Sequence, residues 1–128
     1  MISKISCGIK VSVENFFQPE FSNPLNNEFI FAYKITIANN NLYSVQLLHR
    51  HWKIFDSNGT IREVEGSGVV GVQPIIEPGS FYQYMSACDL KSEMGKMQGS
   101  YLFQHTTEKS TFNVEIPAFE MYVPDRMN

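Results

Sequence analysis

Between Glu28 and Ala38 the chain reads EFIFAYKITIA, eleven residues of unbroken alternation. Phe29, Phe31, Tyr33, Ile35 and Ile37 fall on one side, and Ile30, Ala32, Lys34, Thr36 and Ala38 on the other. A strand sends successive side chains to opposite faces, so the first set gathers into one apolar face. A helix would scatter the same five side chains around its axis. The segment is predicted to be a strand with one face in the core and a mixed, partly covered second face. Asn39-Asn40-Asn41 ends it in a turn, because asparagine caps its own backbone and tolerates left-handed φ.

The stretch from Ser44 to Pro78 has the same character and no helical spacing. Val45 to Phe55 is a strand whose two faces compete. Leu48, Trp52 and Ile54 are taken as its core side. That choice carries Arg50 inward, which requires a place near a sheet end or a carboxylate partner. Asp56-Ser57-Asn58-Gly59 is a hairpin turn, with Asn58-Gly59 predicting the primed type. Thr60 to Glu65 returns as a peripheral strand. Further strands are expected around Ile9, Val11 and Val13, over Phe81 to Met85, over Ser100 to Gln104, and over Thr111 to Ile116. Phe16 to Leu25 is too rich in proline and asparagine for a long element, and its aromatics are placed over the core edge. Ser86 to Gln98 is expected to be irregular, with one short helical turn before Gly95. Pro117 is expected to demote the residues after it to an edge or tail. About seven to eight short strands separated by turns predict an all-β, antiparallel β-sandwich, with a partly open barrel as the other reading.

A chain of 128 residues is expected to form one domain over 1–128, with loose ends at about 1–7 and 124–128. Ten phenylalanines, six tyrosines and one tryptophan supply a core of rings that suit a pleated surface. The formal charge is −3, with the signs interspersed. That gives no basic stripe, so no nucleic-acid partner is expected. No apolar run is long enough to span a bilayer, and the N-terminus lacks the apolar core of a signal peptide. A cytoplasmic location without a membrane partner is therefore expected. Cys7 and Cys88 are expected to be free thiols.

Three groups of residues are candidates for function. Gly66, Gly68 and Gly71 form G-x-G-x-x-G, but Pro74 and two isoleucines come where the dinucleotide fingerprint needs a helix. A bent strand-to-loop passage is the plain reading. A cradle of backbone N–H groups for a phosphate or nucleotide is the alternative, with charge from Arg50 or Arg62. His49 and His51 lie two apart on one strand face, permissible for two ligands to a divalent metal. A third ligand would be His105, Glu63 or Glu65. No nucleophile–base pair, zinc spacing or other catalytic motif is present, so a non-enzyme is expected and no cofactor is required. Phe16, Phe17, Phe119 and Tyr122 suggest more apolar surface than one small core hides. They are candidate contacts for a protein partner, a second copy of the chain (a homodimer) being an open alternative.

Several segments together resemble the ApaG family. They are Phe31-Ala32-Tyr33-x-Ile35-Thr36-Ile37-x-Asn39, Val45-Gln46-Leu47-Leu48-x-Arg50-His51-Trp52 and Asp56-x-Asn58-Gly59. Glu63-Val64-x-Gly66-x-Gly68-Val69-Val70-Gly71-x-Gln73-Pro74, Pro78-Gly79, Gly95-x-Met97-x-Gly99-Ser100-Tyr101 and Ile116-Pro117-x-Phe119 continue the likeness from about Val11 to Pro124. The resemblance implies an immunoglobulin-like or fibronectin-type-III-like sandwich and a protein-interaction role. It also implies a traditional genetic link to cobalt and magnesium resistance, and a proposed pyrophosphate or nucleotide contact at Gly66, Gly68 and Gly71. Ser67 and Val72 stand where many relatives carry carboxylates. Arg50, part of the resembling stretch, is expected to be structural and paired with Glu63, Glu65 or another carboxylate.

Overall fold

The computed structural model describes residues 1–124. They form nine strands: β1 (Ile2–Ser6), β2 (Ile9–Phe17), β3 (Phe29–Asn39), β4 (Val45–Asp56), β5 (Ile61–Ser67), β6 (Ile75–Ile76), β7 (Phe81–Leu90), β8 (Met94–His105) and β9 (Thr111–Tyr122). One antiparallel sheet has the order β1-β2-β3-β7, and the other β5-β4-β8-β9 with β6 beside β4. The chain crosses between sheets after β3, again after β6, and again after β7, which makes an immunoglobulin-like sandwich. The five large residues predicted to line the inner face of β3 are all buried. The stretch at about 1–7, expected to be loose, instead contains β1, which pairs along its length with β2. Of the expected loose end at 124–128, only Pro124 is among the described residues.

The competition between the two faces of β4 is resolved by a bulge. Leu47 pairs with Phe103, but His49 pairs with Leu102, so Leu48 is an extra residue in the ladder. A one-residue insertion flips every later side chain to the other face. Before the bulge Val45 and Leu47 are buried, and after it Trp52 and Ile54 are. Leu48, expected in the core with Trp52, is therefore replaced there by Val45 and Leu47. Trp52 meets Tyr33 edge-on at 5.5 Å and Phe119 at 6.0 Å between ring centroids, tying the two sheets together. Tyr84 of β7 and Tyr101 of β8 share a buried hydroxyl–hydroxyl hydrogen bond of 2.5 Å across the same core.

Two local expectations are corrected, and a third is met in one of its two alternatives. Ser86 to Gln98 is not irregular: β7 and β8 run through it, joined by a short turn that carries the chain from one sheet to the other. The inward positions of β7 after Tyr84 are Ser86, Cys88 and Leu90, paired with Tyr33, Phe31 and Phe29 of β3. The small residues sit beside the large rings, and that exchange removes the apolar periodicity a sequence reading needs. Asp56 holds the turn, accepting from the Lys91 N–H at 2.6 Å and from the Ser92 hydroxyl. The Asp56–Thr60 connection is not a two-residue primed turn. The Gly59 N–H bonds to the Asp56 carbonyl and the Asp56 N–H to the Thr60 carbonyl, both at 2.9 Å. Gly59, with φ +97°, supplies the left-handed residue of a three-residue loop. Finally, the residues after Pro117 take the edge position, one of the two fates expected for them, as a continuation of β9. The register shifts between Met97–Phe119 and Gly99–Ile116, so Pro117 lies in a second bulge, on the edge strand of its sheet. A residue without an N–H is tolerated there, and Met121 beyond it is buried.

Candidate functional site

The β4 bulge and the glycine segment are one construction. The carbonyl of Leu48, turned out of the β8 ladder, accepts from the Gly68 N–H at 2.9 Å and from the Gln73 side-chain amide at 3.0 Å. Gly66 lies opposite Arg50 in the β4–β5 register. The Arg50 guanidinium rests on it so closely that a Cβ at 66 would fall 2.8 Å from Nη1. Arg50 Nη1 then donates to the carbonyl oxygens of Ser67 and Gly68, both at 3.0 Å. Arg50 is thus a structural clamp on the loop, but its partners are carbonyls. Glu63 and Glu65, expected to pair with it, face the other way, toward His51 and His49.

Beyond Gly68 the chain makes a two-residue turn, with Val69 and Val72 exchanging N–H···O bonds of 2.8 and 3.1 Å. Val70 (φ +46°) and Gly71 (φ +81°) are both left-handed, as a primed turn requires. Valine is the wrong residue for that position, since its branched Cβ crowds the backbone. Its side chain is 63% exposed, so little packing compensates. Val70→Asn is expected to stabilise the protein by about 1 kcal/mol, read as a rise of several degrees in Tm. Unchanged or lower stability would show that the exposed valine contributes more than the backbone strain costs.

The N–H groups of Gly68, Val69 and Val72 are each donated within the fold, so these three do not converge on an outside ligand. The element after Gly71 is the short strand β6 and not a helix. His49 and His51 share the outer face of β4 as expected. His49 Nε2 lies 3.9 Å from Glu65 Oε1, and His51 Nε2 lies 3.7 Å from Glu63 Oε2. His105 stands apart, stacked on Tyr43 at 4.2 Å, with Nδ1 accepting from the N–H groups of Thr107 and Glu108. Among the described residues no group of three or more His, Cys, Asp or Glu is placed to hold a metal ion. Both cysteines are free. Burial pushes the Cys88 thiol up to about 11, so it is no nucleophile at neutral pH. Burial likewise raises the hydroxyls of Tyr33, Tyr84 and Tyr101, against the opposing pull of the nearby Arg50 charge.

A concave surface lies at one edge of the sandwich, where the ends of β2 and β9 run side by side. The Asn15 side-chain amide joins them, donating to the Glu120 carbonyl at 3.1 Å. Phe16, Phe17, Pro19, Tyr122 and Pro124 line a groove of about 650 Å³ there, with Asn15 and Glu120 as its polar members. Three of the four aromatics singled out from sequence therefore meet. Phe17 leans on Phe31 at 5.3 Å, while Phe16 and Tyr122 are 44% and 57% exposed. The fourth does not join them. Phe119 is 4% exposed and packs on Tyr33 and Trp52, because the β9 bulge turns it inward. Sequence reading missed Pro19 and Pro124 as wall residues, since proline there reads only as a breaker.

Comparison with known proteins gives a consistent result. The family model described as the ApaG domain matches residues 19–105. The chain is 44% identical over 126 residues to "Protein ApaG" from Brucella suis, covering 98% of this chain and 96% of that one. Its fold matches the crystal structure of an ApaA protein from Bordetella pertussis with a TM-score of 0.87 and 36% identity, covering 91% of this chain and 94% of the other. The C-terminal domain of wzt, 8% identical with a TM-score of 0.51 over 94% of this chain and 72% of that chain, shares the fold alone.

Proposed function

This chain belongs to the ApaG domain family, and on that premise we infer that it is a non-enzymatic binding module that takes a protein partner. The observation that carries this reading is the groove between the ends of β2 and β9. Exposed rings and prolines that converge on one concave surface contribute little to the fold, and aromatic-lined grooves suit extended apolar or proline-containing segments of another chain. Two further features agree with it. The buried thiol of Cys88 is held protonated and is no nucleophile at neutral pH. The free cysteines fit a reducing cytoplasm, and no helix is long and apolar enough to cross a membrane. On this reading the link to cobalt and magnesium resistance that the family resemblance implies runs through the partner.

The test is affinity capture with the tagged protein at moderate and high salt, beside a Phe16→Ala/Tyr122→Ala variant. Both positions are on the surface, so the variant is expected to melt within a few degrees of the parent. A protein recovered at near-stoichiometric yield by the parent, resistant to salt and lost in the variant, is the expected result. Recovery of the same proteins by both would remove the groove as the binding surface.

A further inference from the structure

At the edge opposite the groove the two sheets do not end together. In the β4–β5 register Trp52 lies beside Val64 and Ile54 beside Arg62, so these four side chains share the inward face. Trp52 and Ile54 are buried, but Val64, one strand farther out, is 38% exposed. β7 is the last strand of the facing sheet, and it stops short of covering β5. Under the step lies a crevice of about 180 Å³, lined among others by Arg50, Arg62, Val64, Ser86 and Ala87. Its two arginines are already held, Arg50 by the loop carbonyls and Arg62 by Asp89. What stays uncovered is the apolar floor at Val64 and the side of β7 above it.

That side of β7 carries unpaired backbone. The Asn39 N–H donates to the Ser80 carbonyl at 2.9 Å, in the register that sets Ala38 opposite Phe81. Hydrogen-bonded and non-hydrogen-bonded pairs alternate along an antiparallel ladder. Tyr82, Tyr84, Ser86 and Cys88 therefore bond to β3, and the N–H and C=O groups of Phe81, Gln83, Met85 and Ala87 point away from it. Arg62 agrees with this phase, because it reaches the Asp89 carbonyl from the open side. Among the described residues no strand but β3 pairs with β7. Exposed edges are ordinarily guarded by charge, proline or a bulge. β5 carries Glu63 and Glu65, and β1 is tied to β9 by the Lys4–Glu115 ion pair. Residues 81–88, FYQYMSAC, have no charge, no proline and an unbroken register. Phe81 and Met85 on this strand are 64% and 56% exposed.

We propose that β7 accepts an extended segment of another protein as a fifth strand of its sheet, over residues 81–87. The outward N–H and C=O groups of Phe81, Gln83, Met85 and Ala87 supply the backbone bonds, and the side chains on either face supply the selectivity. Alternate side chains of the added strand point down onto β5 and are apolar where they meet Val64. The others lie beside Phe81 and Met85 on the outer surface. A proline at a bonded position would break the new ladder. The ligand class is therefore a proline-free, β-forming segment of about seven residues with apolar side chains at alternate positions. A second copy of this chain does not fit. Paired strands keep their inward side chains on one side, so the copy's own second sheet would fall where β5 already projects. A single strand has no second layer, and the step at β5 is one strand wide. The site is independent of the groove reading, which lies across the molecule and suits a different kind of segment.

The experiment is an NMR titration of the isotope-labelled full chain with the capped peptide Lys-Thr-Val-Thr-Val-Thr-Val-Lys. Its control is the same peptide methylated on the six threonine and valine backbone nitrogens, which cannot donate to a ladder. The unmethylated peptide is expected to bind saturably, to shift the amide signals of Phe81, Gln83, Met85 and Ala87, and to slow their exchange with solvent. The methylated peptide is expected to do neither. Met85→Pro removes one outward N–H without touching the β3 ladder and is expected to abolish binding. Val64→Lys puts a charge on the floor and is expected to weaken binding by about tenfold. Because Val64 is at the surface, that variant decides the matter even if Met85→Pro does not fold. The proposal is overturned by no saturable response at residues 81–87, or by equal binding of the methylated peptide. Shifts centred on the β5 edge or on Phe16 and Tyr122 overturn it too, as does undiminished binding by Val64→Lys. A dimer of the protein alone that Met85→Pro dissociates would likewise overturn it, by showing that a second copy takes the edge.

Discussion

Trp52→Ala is expected to destabilise the protein by about 3–5 kcal/mol, lowering Tm by roughly 10–20 °C in a two-state melt. The indole is almost fully buried and touches rings from both layers, Tyr33 of β3 and Phe119 of β9. Its setting leaves little freedom to collapse into the vacated space. Gly99 lies directly opposite on β8, and a Cβ there would stand 2.2 Å from the His51 carbonyl oxygen and 3.0 Å from the indole Cε3. The backbone of β8 is thus already as close as glycine permits, and the cavity would persist. Trp52→Phe keeps an edge contact with both neighbours and is expected to recover much of the loss. Equal melting temperatures for Trp52→Ala and the parent would mean that the sheets are held together elsewhere.

Gly68→Ala is expected to cost about 2–5 kcal/mol, combining left-handed backbone with overpacking. Its φ is +59°, and an added Cβ would lie 1.9 Å from the Val72 carbonyl oxygen, which is backbone held in the Val69–Val72 turn. Gly71→Ala provides the comparison. That residue is also left-handed, at φ +81°, but a Cβ there meets nothing within 4 Å, so only about 1–2 kcal/mol is expected. The measurement is denaturant unfolding of both variants side by side. Equal costs would show that the Val72 carbonyl moves aside easily and that φ alone matters. The expected difference has a consequence for any ligand study. A response lost in a Gly68 variant reports first on the loop's fold, and it bears on a binding site only if the variant is shown to be native.

How far the sequence carries can be seen residue by residue. The strict alternation of β3 and the glycine and asparagine turns depend on local stereochemistry: side-chain period, φ preference and self-capping. These are properties of a few adjacent residues, so the all-β, antiparallel character was legible without any tertiary contact. So was the exclusion of a dinucleotide fold, because Pro74 forbids a helix where that fold needs one. The inward course of Arg50 was also legible, from its two-residue spacing to Trp52.

The partners of Arg50 were not legible, and neither were the faces of β4 and β9. Each turns on a bulge, at Leu48 and at Pro117, and a bulge is defined by what lies on the neighbouring strand. One unpaired residue reverses the inside and outside of everything after it, which buried Phe119 and left Tyr122 in the groove. The passage from β7 to β8 escaped notice for a related reason. Ser86 and Cys88 are small because Tyr33 and Phe31 beside them are large, and volume is shared across strands that no window of sequence contains. The groove at one edge and the arginine crevice at the other are likewise products of assembly. Their walls come from segments up to about a hundred residues apart in the chain, which only the packing of two sheets brings together.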